Sequence, residues 1–185
     1  MIPLSRHRFS MDQFQEMARA GILADNARVE LIDGDLIDMA PIGSRHGSAV
    51  ALLTRTFVRQ GGDVVVWAQS AIGLSPSSAP QPDIAILTPQ ARAYRDALPG
   101  AGDILLVIEV AESSLGYDRL VKGALYARHG IREYWLVNLP DRALEVHHTP
   151  EMGVFRSVST LGRSDSAVPR ALPRVRIPLD LLSGD

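Results

Sequence analysis

The segment Ile104-Leu105-Leu106-Val107-Ile108 is an unbroken apolar run, introduced by Gly102-Asp103, and it continues directly into a carboxylate, Glu109, before Val110-Ala111. A strand with one solvated face alternates apolar and polar residues. A continuous run predicts instead a strand covered on both faces, at the centre of a sheet. A buried, unpaired carboxylate is costly, so Glu109 must be neutralised, paired or bound to a cation. Asp83 raises the same question, because it follows Pro82 and opens the apolar segment Ile84-Ala85-Ile86-Leu87. If the two strands are neighbours, their carboxylates converge, and mutual repulsion favours a hard divalent cation with oxygen ligands, Mg²⁺ or Mn²⁺. A separate arginine partner for each acid is the alternative.

Around this centre the sequence predicts a mixed α/β fold, one sheet flanked by helices. Ser10 and Gln13 form a capping-box pattern that starts a helix over about 11–20, with Gly21 past its end. Arg28–Ile32 and Asp35–Ala40 are β-rich and joined by Asp33-Gly34, a hairpin signal. Ala49, Val50, Leu53 and Phe57 keep helical spacing within Ser44–Arg59, and Gly61-Gly62 ends that helix. Asp63–Gln69, Ala71–Leu74 and Asp83–Leu87 read as further strands. A third helix runs over Tyr117–His129 with Leu120, Ala124 and Leu125 inward, followed by a strand at Glu133–Val137. Leu144–His147 and Val154–Thr160 form a late hairpin, and the Arg- and Pro-rich tail from Gly162 ends in a short strand at Val175–Ile177.

With 185 residues, 46% of them hydrophobic, the chain suits one domain over 1–185. The absence of cysteine removes disulfides, thiolate metal sites and cysteine nucleophiles. Met1–Arg6 lacks the apolar stretch of a secretory signal, and no apolar run is long enough to span a membrane, so a cytoplasmic location is expected. A net charge of −2 does not advertise a nucleic-acid binder. A metal site concentrates carboxylates, however, so one face can be basic under an acidic balance. The arginine pairs Arg55 and Arg59, Arg92 and Arg95, and Arg174 and Arg176 either form such a face or are ordinary solvated charges.

Of the 19 lysines and arginines, only Lys122 is lysine. A chain that uses arginine wherever a generic cation serves has reason to keep lysine there, as a compact charge able to sit beside a metal-bound water and a phosphate. Its spacing from Asp118 equally fits a simple i, i+4 ion pair. Glu30 interrupts the apolar residues Val29, Leu31 and Ile32, either as a further metal or water ligand or as a surface-facing residue. His46, near a helix start, is a general base, a phosphate contact, or else a structural or merely exposed residue. His147-His148 reads as an exposed pair, and Tyr134 and Trp135 as core or dimer-interface aromatics. Phosphate loops, dinucleotide fingerprints, zincin motifs and serine elbows are missing.

Pro82-Asp83, Glu109-Val110-Ala111, Asp118 to Lys122 and Gly130-Ile131-Arg132-Glu133-Tyr134-Trp135, with Glu30-Leu31-Ile32-Asp33-Gly34 and His46, together resemble the bacterial Uma-type family of "putative restriction endonucleases", within the PD-(D/E)XK nuclease superfamily. The resemblance covers roughly residues 10–140 and implies a restriction-endonuclease-like sheet. It also implies that Asp83 and Glu109 bind metal, that the Val110 carbonyl adds a ligand, and that lysine positions or activates the attacking water. The superfamily's usual lysine lies two residues after the acid, where this chain has Ala111, so Lys122 must reach the same point from the following helix. Homodimerisation is expected from the resemblance alone.

The function expected is metal-dependent hydrolysis of phosphodiester bonds in DNA. Asp83 and Glu109 would hold Mg²⁺ and Lys122 would stabilise developing charge. Asp118 would orient Lys122, with Glu30 and His46 as auxiliaries. The alternative is a nuclease-like fold serving as a catalytically silent binding or assembly module.

Overall fold

In the computed structural model, which describes residues 6–24, 27–90 and 92–182, the chain enters through helix α1 (Met11–Arg19). Met1–Ser5, part of the stretch read above as lacking a secretory signal, lies outside the described residues. The expected capping box is present: Ser10 accepts from the Gln13 amide while the Gln13 side chain accepts from the Ser10 amide. Strands β1 (Val29–Ile32) and β2 (Asp35–Asp38) then pair antiparallel. Their two-residue turn places Asp33 at φ 49° and Gly34 at φ 83°, the left-handed pair that matches the twist of a hairpin. A side chain at Gly34 would also put its Cβ 2.8 Å from that of Arg8.

Helix α2 (Ser44–Gln60) buries Ala49, Val50, Leu53 and Phe57, the stripe its spacing predicts. Strands β3 (Val65–Ala68), β4 (Ile84–Leu87) and β5 (Ile104–Ala111) follow. A helix spanning 115–128, α3, is α-helical at Leu115–Tyr117 and Gly123–Arg128, with a π turn over Asp118–Lys122. Next come β6 (Glu133–Asn138), β7 (Ala143–Glu151) and β8 (Val154–Leu161). They form a six-stranded sheet in the order β3-β4-β5-β6-β7-β8. The run around Ile104–Ile108 therefore lies in the interior of the sheet, as expected. Among the described strands of this sheet only β5 and β6 pair in parallel, and a parallel pair needs a crossover, which α3 supplies.

The two faces of the sheet carry separate cores. Ile84, Ile86, Leu106, Ile108 and Trp135 pack with Leu53 and Phe57 of α2. The alternate residues Ala85, Val107, Leu136 and Tyr134 pack with Tyr126 of α3. Full burial of each large apolar side chain contributes about 1.5–3 kcal/mol, so these layers fix α2 and α3 on opposite faces. The fold is the expected mixed sheet flanked by helices. Tyr134 and Trp135, neighbours in β6, are core residues on opposite faces, 0% and 1% exposed.

Several local expectations are corrected. Ala71–Leu74 is not a sheet strand: its amides donate to loop carbonyls, Ile72 to Pro80, Gly73 to Pro99 and Leu74 to Ser78. Leu120 is 73% exposed rather than inward, because the buried side of the π turn is taken by Asp118 and Lys122. His147 is buried against Glu145, not exposed, and its ring lies 5.2 Å from that of Tyr134. In the tail, Ile177–Pro178 (β10) pairs with Ser166–Ala167 (β9), two residues beyond the expected start. Among the described residues, no helix is long and apolar enough to cross a membrane.

Candidate active site

Asp83 immediately precedes β4, and Glu109 lies in β5, one residue past the pairing of Ile84 with Ile108. Adjacent antiparallel strands therefore bring the two carboxylates together. Their side chains also extend the backbone ladder. The Asp83 amide donates to Glu109 Oε2 at 3.2 Å, and the Val110 amide donates to Asp83 Oδ2 at 2.9 Å. From α2, His46 Nε2 lies 2.8 Å from Asp83 Oδ1.

The third contribution comes from α3. Lys122 Nζ donates to Glu109 Oε1 at 3.0 Å, and the Tyr126 hydroxyl donates to the same oxygen at 2.6 Å. Lys122 Nζ is also 3.1 Å from Glu30 Oε2, on the β1–β2 hairpin. Glu30 in turn accepts from the Tyr117 hydroxyl at 3.0 Å and from the Gln81 amide at 3.1 Å. The π turn separates this segment from an ordinary helix: the Gly123 amide bonds the Asp118 carbonyl five residues back, and the Tyr134 hydroxyl donates to that carbonyl at 3.1 Å. Such turns are rare and occur often at functional sites.

The expected Asp118–Lys122 ion pair does not form as a direct contact. Lys122 reaches across to Glu109 and Glu30, while Asp118 Oδ2 accepts from the Ser114 hydroxyl one turn earlier. The surface-facing alternative for Glu30 is likewise overturned, since it is 1% exposed and bonded through both oxygens. Separate arginines for Asp83 and Glu109 are not used either. Their partners are His46, Lys122, Tyr126 and backbone amides.

Four buried carboxylates, Glu30, Asp83, Glu109 and Asp118, thus surround one buried ammonium. Burial raises the Glu109 carboxyl above its ordinary range; Lys122 opposes this, and Asp118, Asp83 and Glu30 reinforce it. Asp118 is also raised by burial, against Lys122 and the Ser114 hydrogen bond. Burial alone would lower Lys122, but Glu109, Glu30 and Asp118 outweigh it and hold the ammonium charged. The Asp83 hydrogen bond, against burial, raises His46. The site carries more negative than positive charge, the condition under which a hard cation is retained.

Glu30, His46, Asp83, Glu109, Val110, Asp118 and Lys122 all line one cavity of about 280 Å³. Among the described residues, no three His, Cys, Asp or Glu side chains form a metal-holding group. The candidate ligand set is therefore two carboxylates, Asp83 and Glu109, with the Val110 backbone. Hard oxygen donors in a site short of positive charge fit Mg²⁺ or Mn²⁺. Two tyrosines escaped the sequence reading. Tyr126 continues the i, i+4 stripe of Asp118 and Lys122, which was a usable signal. Tyr117 meets Glu30 only through the tertiary fold, 87 positions away.

Residues 11–180 match the model of the Uma2 family, described as "Putative restriction endonuclease", and the chain belongs to that family. A crystal structure described as "a putative nuclease belonging to DUF820", from Anabaena variabilis, is similar in fold. It aligns with a TM-score of 0.71 at 14% identity, over 94% of this chain and 97% of that one. No curated protein matches.

Proposed function

We propose, from this membership and the site's donor set, that the protein is a metal-dependent endonuclease hydrolysing phosphodiester bonds in DNA. The observation that supports this most is the meeting of Asp83, just before β4, with Glu109 of β5 and Lys122 of α3 at one cavity. Asp83, Glu109 and the Val110 carbonyl would hold Mg²⁺ or Mn²⁺. When bound, such an ion polarises a phosphoryl oxygen and lowers the pKa of a coordinated water. Lys122 presents a compact, permanently charged ammonium to the negative charge that develops on the phosphate. Glu30 also holds that ammonium, and Asp118 adds negative potential without touching it. His46, committed to Asp83, orients that carboxylate. A homodimer in solution completes the proposal.

Plasmid DNA incubated with the purified protein and Mg²⁺ or Mn²⁺ is expected to be nicked or linearised, and Glu109→Ala and Lys122→Ala are expected to abolish this. Cleavage that survives both substitutions would sink the assignment. One observation favours a silent binding or assembly module: each carboxylate oxygen of Glu109 already has a donor. Calorimetric titration with Mg²⁺ separates the two readings. A nuclease binds the ion in a manner lost in Asp83→Asn, and a silent module does not.

A further inference from the structure

A second cavity, of about 290 Å³, adjoins the first, and the two share Arg28, Met39 and Asp83. They are two halves that meet at these shared residues. The halves differ in charge. Among the described residues, six carboxylates line the first cavity and one, Asp83, lines the second, where Arg28 balances it. A polyanion whose reacting phosphate sits at Asp83 and Glu109 is repelled along the first half and accepted along the second.

The second half is mainly polar, with some apolar surface beside the polar groups. Met39 and Ile42 supply apolar surface, and Gln69 and Gln81 supply amides, which offer both donor and acceptor. The backbone amides of Gln69 and Gln81 are committed to Asp83 and Glu30, while no hydrogen bond among the described residues engages their side-chain amides. Gln69 is held at φ 46°, a left-handed conformation unusual for a non-glycine residue and concentrated at functional sites. Arg28 donates to the uncharged Ala40 carbonyl at 2.7 Å, which anchors the guanidinium and leaves its charge for a phosphate.

We propose that the second cavity is a nucleotide subsite: the DNA strand cut at Asp83 and Glu109 lays its adjoining nucleotide there, its base against Gln69 and Gln81 and its phosphate on Arg28. This rests on the nuclease reading. A side-chain amide can read an adenine edge with two hydrogen bonds, a contact able to discriminate by about tenfold or more.

The test uses the full chain in Mg²⁺ with a fluorescein-labelled hexadeoxynucleotide made cleavage-resistant by phosphorothioate linkages. An abasic position is scanned along the strand while binding is followed by anisotropy. One position is expected to weaken binding about tenfold, and the Gln69→Ala, Gln81→Ala double variant is expected to become insensitive to it. Arg28→Ala is expected to weaken every strand and to reduce the salt dependence by about one phosphate contact. A flat scan, or a sensitive position that persists in the double variant, overturns the subsite. If plasmid cleavage dependent on Glu109 remains in that case, the nuclease reading stands. Absence of Glu109-dependent cleavage overturns that reading and the subsite with it.

Discussion

Lys122 and Glu109 form a buried ion pair with Nζ 3.0 Å from Oε1, both side chains only 4% exposed, and the same ammonium lies 3.1 Å from Glu30. The pair joins α3 to β5 and, through Glu30, to the β1–β2 hairpin. The chain's single lysine therefore holds three separate elements at the candidate site.

Removing that ammonium strands two buried carboxylates. Lys122→Met is expected to destabilise the fold by about 3–5 kcal/mol, the cost of breaking one side of a buried pair. Urea unfolding measures it. The double variant Lys122→Met, Glu109→Gln should recover part of the loss, because one of the stranded charges is gone. An unfolding midpoint unchanged in Lys122→Met would contradict the structure.

Tyr126→Phe deletes the 2.6 Å hydrogen bond to Glu109 and leaves the ring in place. A hydrogen bond to a charged group contributes about 1.5–3 kcal/mol, so a loss in that range is expected by chemical denaturation. Tyr117→Phe should cost less, since Tyr117 is only partly buried and Glu30 keeps Lys122 and the Gln81 amide. The reverse order would refute this assignment.

Phe57 and Leu120 test the packing. Phe57 is 0% exposed, with its ring centre 6.4 Å from that of Trp135, and Phe57→Ala is expected to cost about 3–5 kcal/mol. Leu120→Ala, at a position 73% exposed, should fall within about 0.5 kcal/mol of wild type. Thermal unfolding of the two variants is sufficient. A large loss at Leu120 would mean that α3 is rotated from the orientation described.

The pH dependence should have a component away from the candidate site. Glu145 is held below its ordinary value of 4.5, chiefly by the hydrogen bond from Arg119, and His147 is held below its ordinary value of 6.5 by burial. Both groups bind a proton less readily folded than unfolded, so their contributions are lost on acidification. The His147 contribution fades as pH falls below 6.5 through its depressed folded value, and that of Glu145 fades below 4.5. The double variant Glu145→Gln, His147→Gln should lose less stability than wild type between about pH 7 and pH 4. Parallel stability curves would reject this account.

Wherever local chemistry decides the outcome, the sequence was legible. Ser10 with Gln13, Asp33-Gly34 and the stripe from Ala49 to Phe57 specify a cap, a turn and a buried helix face through contacts a few residues apart. The unbroken run before Glu109 specified a doubly covered strand, because only burial on both faces justifies it. The tertiary structure decided what those signals leave open. Leu120 was misread because helical periodicity assumes an ordinary turn, while the π turn gives the inward side to Asp118 and Lys122. His147 lies buried because β7 pairs with β6 and sets it against Tyr134, a contact between residues distant enough in sequence to leave no local trace.

The same division holds at the candidate site. That Glu109 and Lys122 are exceptional was determined by the sequence itself, one through the cost of a carboxylate in an apolar strand and the other through being the only lysine. Which groups they meet was decided by the pairing of β4 with β5 and by the crossover through α3, which turned Lys122 from Asp118 to Glu109 and Glu30 and brought Tyr126 to the same oxygen. The cost of burying a charge is visible in one dimension. The partner that offsets it depends on which strands lie side by side.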